Sequence, residues 1–217
     1  NPVIAGDEKL VHMKYFFTRK LMFVKECDAV VCLPGGFGTM DEALEVLTLL
    51  QTGKRDLVPL VLLDEPGGDY WKTLDVFLQD HLLGRGLISE QDLSLYKVTD
   101  DCDAAVSELL EFFRVYHSMR YVKEQLVFRL LQPLSGRFLA AVNEHFTDIL
   151  TAGQFEQTEA LPDERDETDL IDLPRLVFNF NRRDLGRLRQ LIDCLNRGTI
   201  EPLASPASSD AYPRDRR

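Results

Sequence analysis

The stretch VVCLPGGFGTMDEALEVL, Val30 to Leu47, restricts the fold of this chain more than any other. An apolar run stops at Pro34, Gly35, Gly36 and Gly38 follow, and apolar residues at helical spacing begin at once. A short, almost wholly apolar run such as Ala29 to Leu33 suits a strand covered on both faces. A strand that passes through glycines directly into a helix is one half of a strand-helix-strand crossover.

The flanking sequence extends this pattern. Phe16, Phe17, Leu21 and Val24 recur at helical spacing between Lys9 and Lys25, which predicts a helix with a buried stripe and Arg19 and Lys20 beside it. A helix is expected from Met40 to Leu50, a parallel strand from Leu57 to Leu63, a helix from Trp71 to Leu83, a short helical stretch near Ser89, a strand at Leu95 to Val98 and a helix from Asp103 to Tyr116. The fold class is therefore α/β, a Rossmann-like parallel sheet with flanking helices. After about residue 118 the order changes to a strand at 124–132, a helix at 135–150, a weak strand from Phe155 to Leu161, a strand from Leu176 to Asn181 and a helix from Arg183 to Asn196. That β-α-β-β-α order resembles a split, ferredoxin-like arrangement without its last strand. The expected domains are thus residues 1–118, the later part of an α/β domain whose opening segments are missing, and 119–200, a small α+β module. The Pro, Ser, Asp and Arg composition of 201–217 predicts a disordered tail.

Composition narrows the function. A formal net charge of -11 argues against nucleic acid, whose phosphates need clustered Lys and Arg. The chain contains no run of about 18 apolar residues, so no membrane partner is expected. Cys27, Cys32, Cys102 and Cys194 are scattered without neighbouring histidines, which indicates neither a zinc site nor a disulfide framework and suits a reducing cytoplasm. Residues 154–172 carry eight acidic side chains and only Arg165, and read as a solvated loop; Arg182, Arg183, Arg187, Arg189 and Arg197 read either as a wet helix face or as a surface for an acidic partner or an anionic effector.

A glycine turn at a helix N-terminus binds anions, because free N–H groups and the positive end of the helix dipole face outward and no Cβ blocks the approach. Two familiar forms fail here. A P-loop needs a lysine after its last glycine, and the third glycine of a dinucleotide fingerprint falls on Asp41. Thr39 and Glu42 are also spaced as a capping box, an alternative with no chemistry in it. His12 and His81 could serve as acid or base or simply pack, DEPGG at 64–68 could border a ligand or be a plain turn, and Gln51 could line an interface between subunits.

YFFTRK, Tyr15 to Lys20, followed by PGGFGTMDE, Pro34 to Glu42, resembles the paired R-K and P-G-G-x-G-T-x-x-E signature of the LOG ("lonely guy") family of nucleoside 5'-monophosphate phosphoribohydrolases. The second motif matches at every specified position, whereas Phe16 stands where the family has methionine. The resemblance covers about residues 9 to 113 and lacks the family's other glycine-rich loop. It implies that Gly35, Gly36, Gly38 and Thr39 hold the substrate phosphate, that Arg19 and Glu42 are catalytic, and that Lys20 is available to the substrate. It further implies hydrolysis of AMP or a cytokinin riboside 5'-monophosphate to nucleobase and ribose 5-phosphate without metal or cofactor, by a homodimer or larger homo-oligomer. A nucleotide-binding regulatory protein without hydrolase activity is the alternative. Lysine decarboxylase, a label attached to such sequences, would require pyridoxal phosphate on a supported lysine, and no such constellation is visible.

Overall fold

The computed structural model describes residue 6, residues 13–164 and residues 167–199. The first part of the expected opening helix, His12 and the tail at 201–217 lie outside the described residues. The chain divides into two compact units, one comprising residues up to Ser89 with Leu95–Leu109, the other Glu90–Ser94 with the chain from Leu110.

The first unit is a three-stranded parallel sheet flanked by helices. In chain order it contains α1 (Phe16–Glu26), β1 (Val30–Cys32), α2 (Phe37–Gln51), β2 (Leu60–Leu63), α3 (Tyr70–Phe77), β3 (Lys97–Thr99) and α4 (Cys102–Phe112), whose last turn passes into the second unit. The strands lie in the order β1-β2-β3, with Val30, Val31 and Cys32 level with Leu60, Val61 and Leu62. The central strand is the apolar one: Leu60, Val61 and Leu62 are buried, and Trp71, Ala43, Val46 and Leu50 join them in the core. After α3 the chain continues through a π-helical turn, Leu78–Leu82, and a 3-10 turn ending at Gly86, where φ is +68°.

Two expectations for this unit are corrected. β1 is an edge strand of the described sheet, not one covered on both faces, and Val31 and Leu33 are exposed. The stripe on α1 is likewise not buried: Val24 is covered, but Phe17 is 69% and Leu21 62% exposed. The helix also starts at Phe16, because Tyr15 is extended with φ −113° and ψ 136°.

The second unit is a four-stranded antiparallel sheet with two helices. Its elements are β4 (Tyr116–Val122), β5 (Gln125–Leu130), α5 (Gly136–His145), β6 (Leu150–Thr158), β7 (Arg175–Phe180) and α6 (Leu185–Arg197), in the sheet order β4-β5-β7-β6. The order along the chain is therefore β-β-α-β-β-α rather than the expected β-α-β-β-α. The additional edge strand, β4, precedes β5 through a two-residue turn in which Lys123 takes φ +55°. The helix expected from Asp103 to Tyr116 ends at Phe112, and Tyr116 instead opens β4, which pairs with the apolar β5.

One face of this sheet carries Leu126, Phe128, Leu130, Leu176, Phe178 and Phe180, all buried, with Phe128 and Phe178 ring centroids 5.2 Å apart. Of the two helices, α5 packs against β6 and α6 against β4. The opposite face carries Ser118, Arg129 and Arg175 level with one another on β4, β5 and β7. It is covered by the acidic segment that composition reads as a solvated loop. Leu161 packs on Val122, Val127 and Val177. Glu164, fully buried, accepts from Arg129 Nε at 3.1 Å and Arg129 Nη2 at 3.0 Å through one oxygen, and from Arg175 Nε at 3.0 Å through the other. Glu167 pairs with Arg120 and Arg129, and Arg175 also donates to the carbonyls of Leu170 and Leu173. Within α6, Arg189 is buried over the Phe112 ring and paired with Asp193, so that side of the helix is not wet.

Candidate active site

All three strands of the first unit run the same way, so the segments leaving their carboxyl ends gather on one edge of the sheet, where ligands bind in open α/β sheets. The glycine turn leaves β1 there. Gly36 is the N-cap of α2, with extended backbone, and its carbonyl accepts from the N–H of Thr39 at 3.1 Å and of Met40 at 3.2 Å. The N–H groups of Phe37 and Gly38 belong to the first turn, which has no intrahelical acceptor to offer them. No side chain caps the helix, and Thr39 lies three residues inside it. The capping box is therefore not formed: Thr39 cannot act as N-cap, and Glu42 is not engaged by one. The Thr39 hydroxyl lies against Gly35, where an added Cβ would collide with it. Gly35, Gly36, Gly38 and Thr39 are thus together at one helix end. Phe37, between them, is 96% exposed.

Glu42 follows on α2, half-buried. Its neighbours Asp41 and Glu45 receive Lys20 of α1: Lys20 Nζ is 2.6 Å from Asp41, 2.8 Å from Glu45 and 4.0 Å from Glu42. The hydrogen bonds to Asp41 and then Glu45 hold the Lys20 ammonium well above its ordinary value. Arg19, next to Lys20 on α1, has its guanidinium 6.0 Å over the Phe23 ring. The ion pairs made by Lys20 therefore tie the helix that carries Arg19 to the two residues that flank Glu42 along its helix face. Burial, and after it the charge of Glu42, pushes the Cys32 thiol up.

The neighbouring strand ends complete the rim. Asp64, buried just after β2, accepts from the N–H of Glu65 at 2.9 Å and of Trp71 at 3.3 Å. Asp100, just after β3, accepts from Gly67 N–H at 3.1 Å and Lys72 Nζ at 3.0 Å, and the Lys72 bond is the first cause of its lowered carboxyl pKa. Tyr70 reaches back to the glycine turn, its hydroxyl donating to the Gly35 carbonyl at 2.7 Å. The DEPGG segment is therefore an organised turn beside the candidate site. Tyr70 itself carries no motif that sequence reasoning could have used; only the sequence proximity of DEPGG to it was visible. Of the remaining candidates, His81 packs against Phe77 with centroids 5.1 Å apart, and Gln51 closes α2. Among the described residues, no cluster of His, Cys, Asp and Glu could hold a metal ion, and no helix is long and apolar enough to cross a membrane.

Residues 5–109 match a family model described as "Possible lysine decarboxylase". The chain is 42% identical over 71 residues to the cytokinin riboside 5'-monophosphate phosphoribohydrolase LOG1 of Arabidopsis thaliana, an alignment covering 33% of this chain and 32% of that protein. It is 33% identical over 101 residues to LOG4 of the same plant, covering 46% of this chain and 45% of the relative. To the probable LOG4 enzyme of Oryza sativa subsp. japonica it is 30% identical over 106 residues, 49% of this chain and 44% of the relative. The chain thus spans between about a third and just under half the length of these relatives. The decarboxylase wording does not fit the site: pyridoxal chemistry needs a lysine that gives up its proton, and Lys20 is held charged by two carboxylates. Over residues 5–109, the segment that holds both the glycine turn and the Arg19-Lys20 pair, the chain resembles the LOG family in sequence and by family model alike.

Proposed function

We propose that the first unit carries the phosphate-binding turn and the catalytic pair of a nucleoside 5'-monophosphate phosphoribohydrolase. The observation that carries this reading is the glycine turn at the N-terminus of α2 with Glu42 one turn further along the same helix. The turn offers backbone N–H groups and the Thr39 hydroxyl to a 5'-phosphate. With the phosphate held there, the ribose of the same nucleotide is within reach of the next turn of the helix. The bond between C1' and the base nitrogen breaks, water adds at C1', and the base leaves with a proton. Positive charge develops on the ribose in that step, and the Glu42 carboxylate stabilises it or receives the proton of the attacking water. Arg19 supplies a fixed positive charge for the phosphate or the departing base. AMP and cytokinin riboside 5'-monophosphates are the proposed substrates, and a homodimer or larger homo-oligomer is the proposed assembly. Incubation with a panel of nucleoside monophosphates, read as free base, tests the reading. Release of base supports it; tight binding of AMP without release would assign the chain to nucleotide-dependent regulation instead.

A further inference from the structure

The geometry points to Tyr70 as a positioning residue that locks the Gly35–Gly36 peptide in the orientation that presents the Gly36 N–H to a phosphate, an inference that rests on the function proposed above. A trans peptide unit is planar, with its C=O and N–H pointing in opposite directions. A peptide joining two glycines has little steric reason to prefer one orientation over its reverse. The Tyr70 hydroxyl supplies that preference by donating to the Gly35 carbonyl at 2.7 Å, which aims the N–H of Gly36 away from α3. Reversal of this peptide would break the bond and withdraw one donor from the turn.

Tyr70 is itself fixed. The next residue, Trp71, is fully buried; its N–H donates to Asp64 and its indole Nε1 donates to the Leu63 carbonyl at 3.2 Å. The Tyr70 ring meets the Trp71 ring edge-on, centroids 4.7 Å apart at 88°. Gly68 lets the chain pass, since a Cβ there would run into the Asp64 carboxylate. The hydroxyl therefore reaches Gly35 from a rigid base, and the end of β2 controls the turn that follows β1.

The test is Tyr70→Phe, which removes one hydroxyl and keeps the ring. Binding of ribose 5-phosphate and of adenosine is measured by calorimetry on wild type and variant, with steady-state turnover of AMP alongside. The dissociation constant for ribose 5-phosphate is expected to rise about three- to tenfold, the size of one neutral hydrogen bond. KM for AMP should rise by a similar factor with kcat within about twofold, while adenosine binding and the melting temperature stay unchanged. Equal binding of ribose 5-phosphate by wild type and variant overturns the role of Tyr70 and leaves the proposed function standing. An equal loss for adenosine and ribose 5-phosphate also overturns it, because the effect would not be on the phosphate. Failure of the wild type to bind ribose 5-phosphate at all would remove the proposed function and this inference together.

Discussion

At the scale of single residues, the site depends on what Glu42 is free to do. The capping box visible in the sequence would have engaged it as a backbone acceptor; with Gly36 as N-cap it has no such duty. Glu42→Gln keeps the side-chain shape but removes the negative charge, so base release is expected to fall by a factor of about 10² or more with the fold unchanged. Turnover within about threefold of wild type, measured on a variant with an unaltered circular dichroism spectrum, would remove Glu42 from the mechanism. Lys20 makes a different prediction. Lys20→Met leaves Asp41, Glu42 and Glu45 on one helix face without their shared cation. Three carboxylates then repel one another, and α1 loses its tie to α2. Base release should fall in Lys20→Met and return largely in Lys20→Arg. Unchanged turnover in Lys20→Met would show that this cation does not position the site. The glycine turn, Arg19, Lys20 and Glu42 could be proposed from sequence because two short motifs, residues 15–20 and 34–42, contain them. Tyr70 could not, because its partner Gly35 lies 35 residues away and one hydroxyl leaves no periodic trace.

Among the elements, the segment covering the sheet of the second unit reverses its reading most completely. Eight carboxylates over 154–172 look like solvated charge, yet Glu164 is buried between two arginines from adjacent strands. Composition could not reveal this, since the arginines that neutralise it come from β5 and β7. Burial alone would raise the Glu164 carboxyl, but the hydrogen bonds from Arg175, the Leu161 N–H and Arg129 outweigh it and hold the group below its ordinary value. His117, beside Ser118, is lowered by burial and then by the charges of Arg129 and Arg175. Both groups bind fewer protons folded than unfolded, so both contribute stability that is present at higher pH and lost on acidification. The His117 contribution fades below about pH 6.5 and that of Glu164 below about pH 4.3, the ordinary values of the two side chains. Thermal melts between about pH 7 and pH 3.5 should therefore show stability falling in two steps. Glu164→Gln should reduce the lower step and cost about 3–5 kcal/mol at neutral pH by removing the carboxylate paired with buried Arg175 and leaving Arg129 with Glu167 alone. A melt independent of pH would show that the arginines do not depend on this carboxylate. The strands and helices themselves were largely legible, with β4 the exception, because a half-polar edge strand owes its existence to the strand it pairs with.

On the scale of the whole molecule, the first unit exposes an apolar surface that it does not cover itself: Phe17, Leu21 and Phe23 on α1 and Val31 and Leu33 at β1. Exposed large apolar side chains in such number mark a candidate interaction surface. A symmetric oligomer is expected, and light scattering at micromolar concentration that gives the mass of one chain would refute it. Polar replacements at Phe17 and Phe23 should lower the mass if α1 lies in that interface. The two units also differ in an optical property. The chain's only tryptophan, Trp71, is fully buried in the first unit, beside the turn that follows β2. Its emission is therefore a natural reporter of that unit alone, silent to the second, whose aromatic core is built from Phe and Tyr. Denaturation followed by tryptophan emission and by far-ultraviolet ellipticity will coincide if the chain unfolds as one body, and will separate into two curves if the units melt independently.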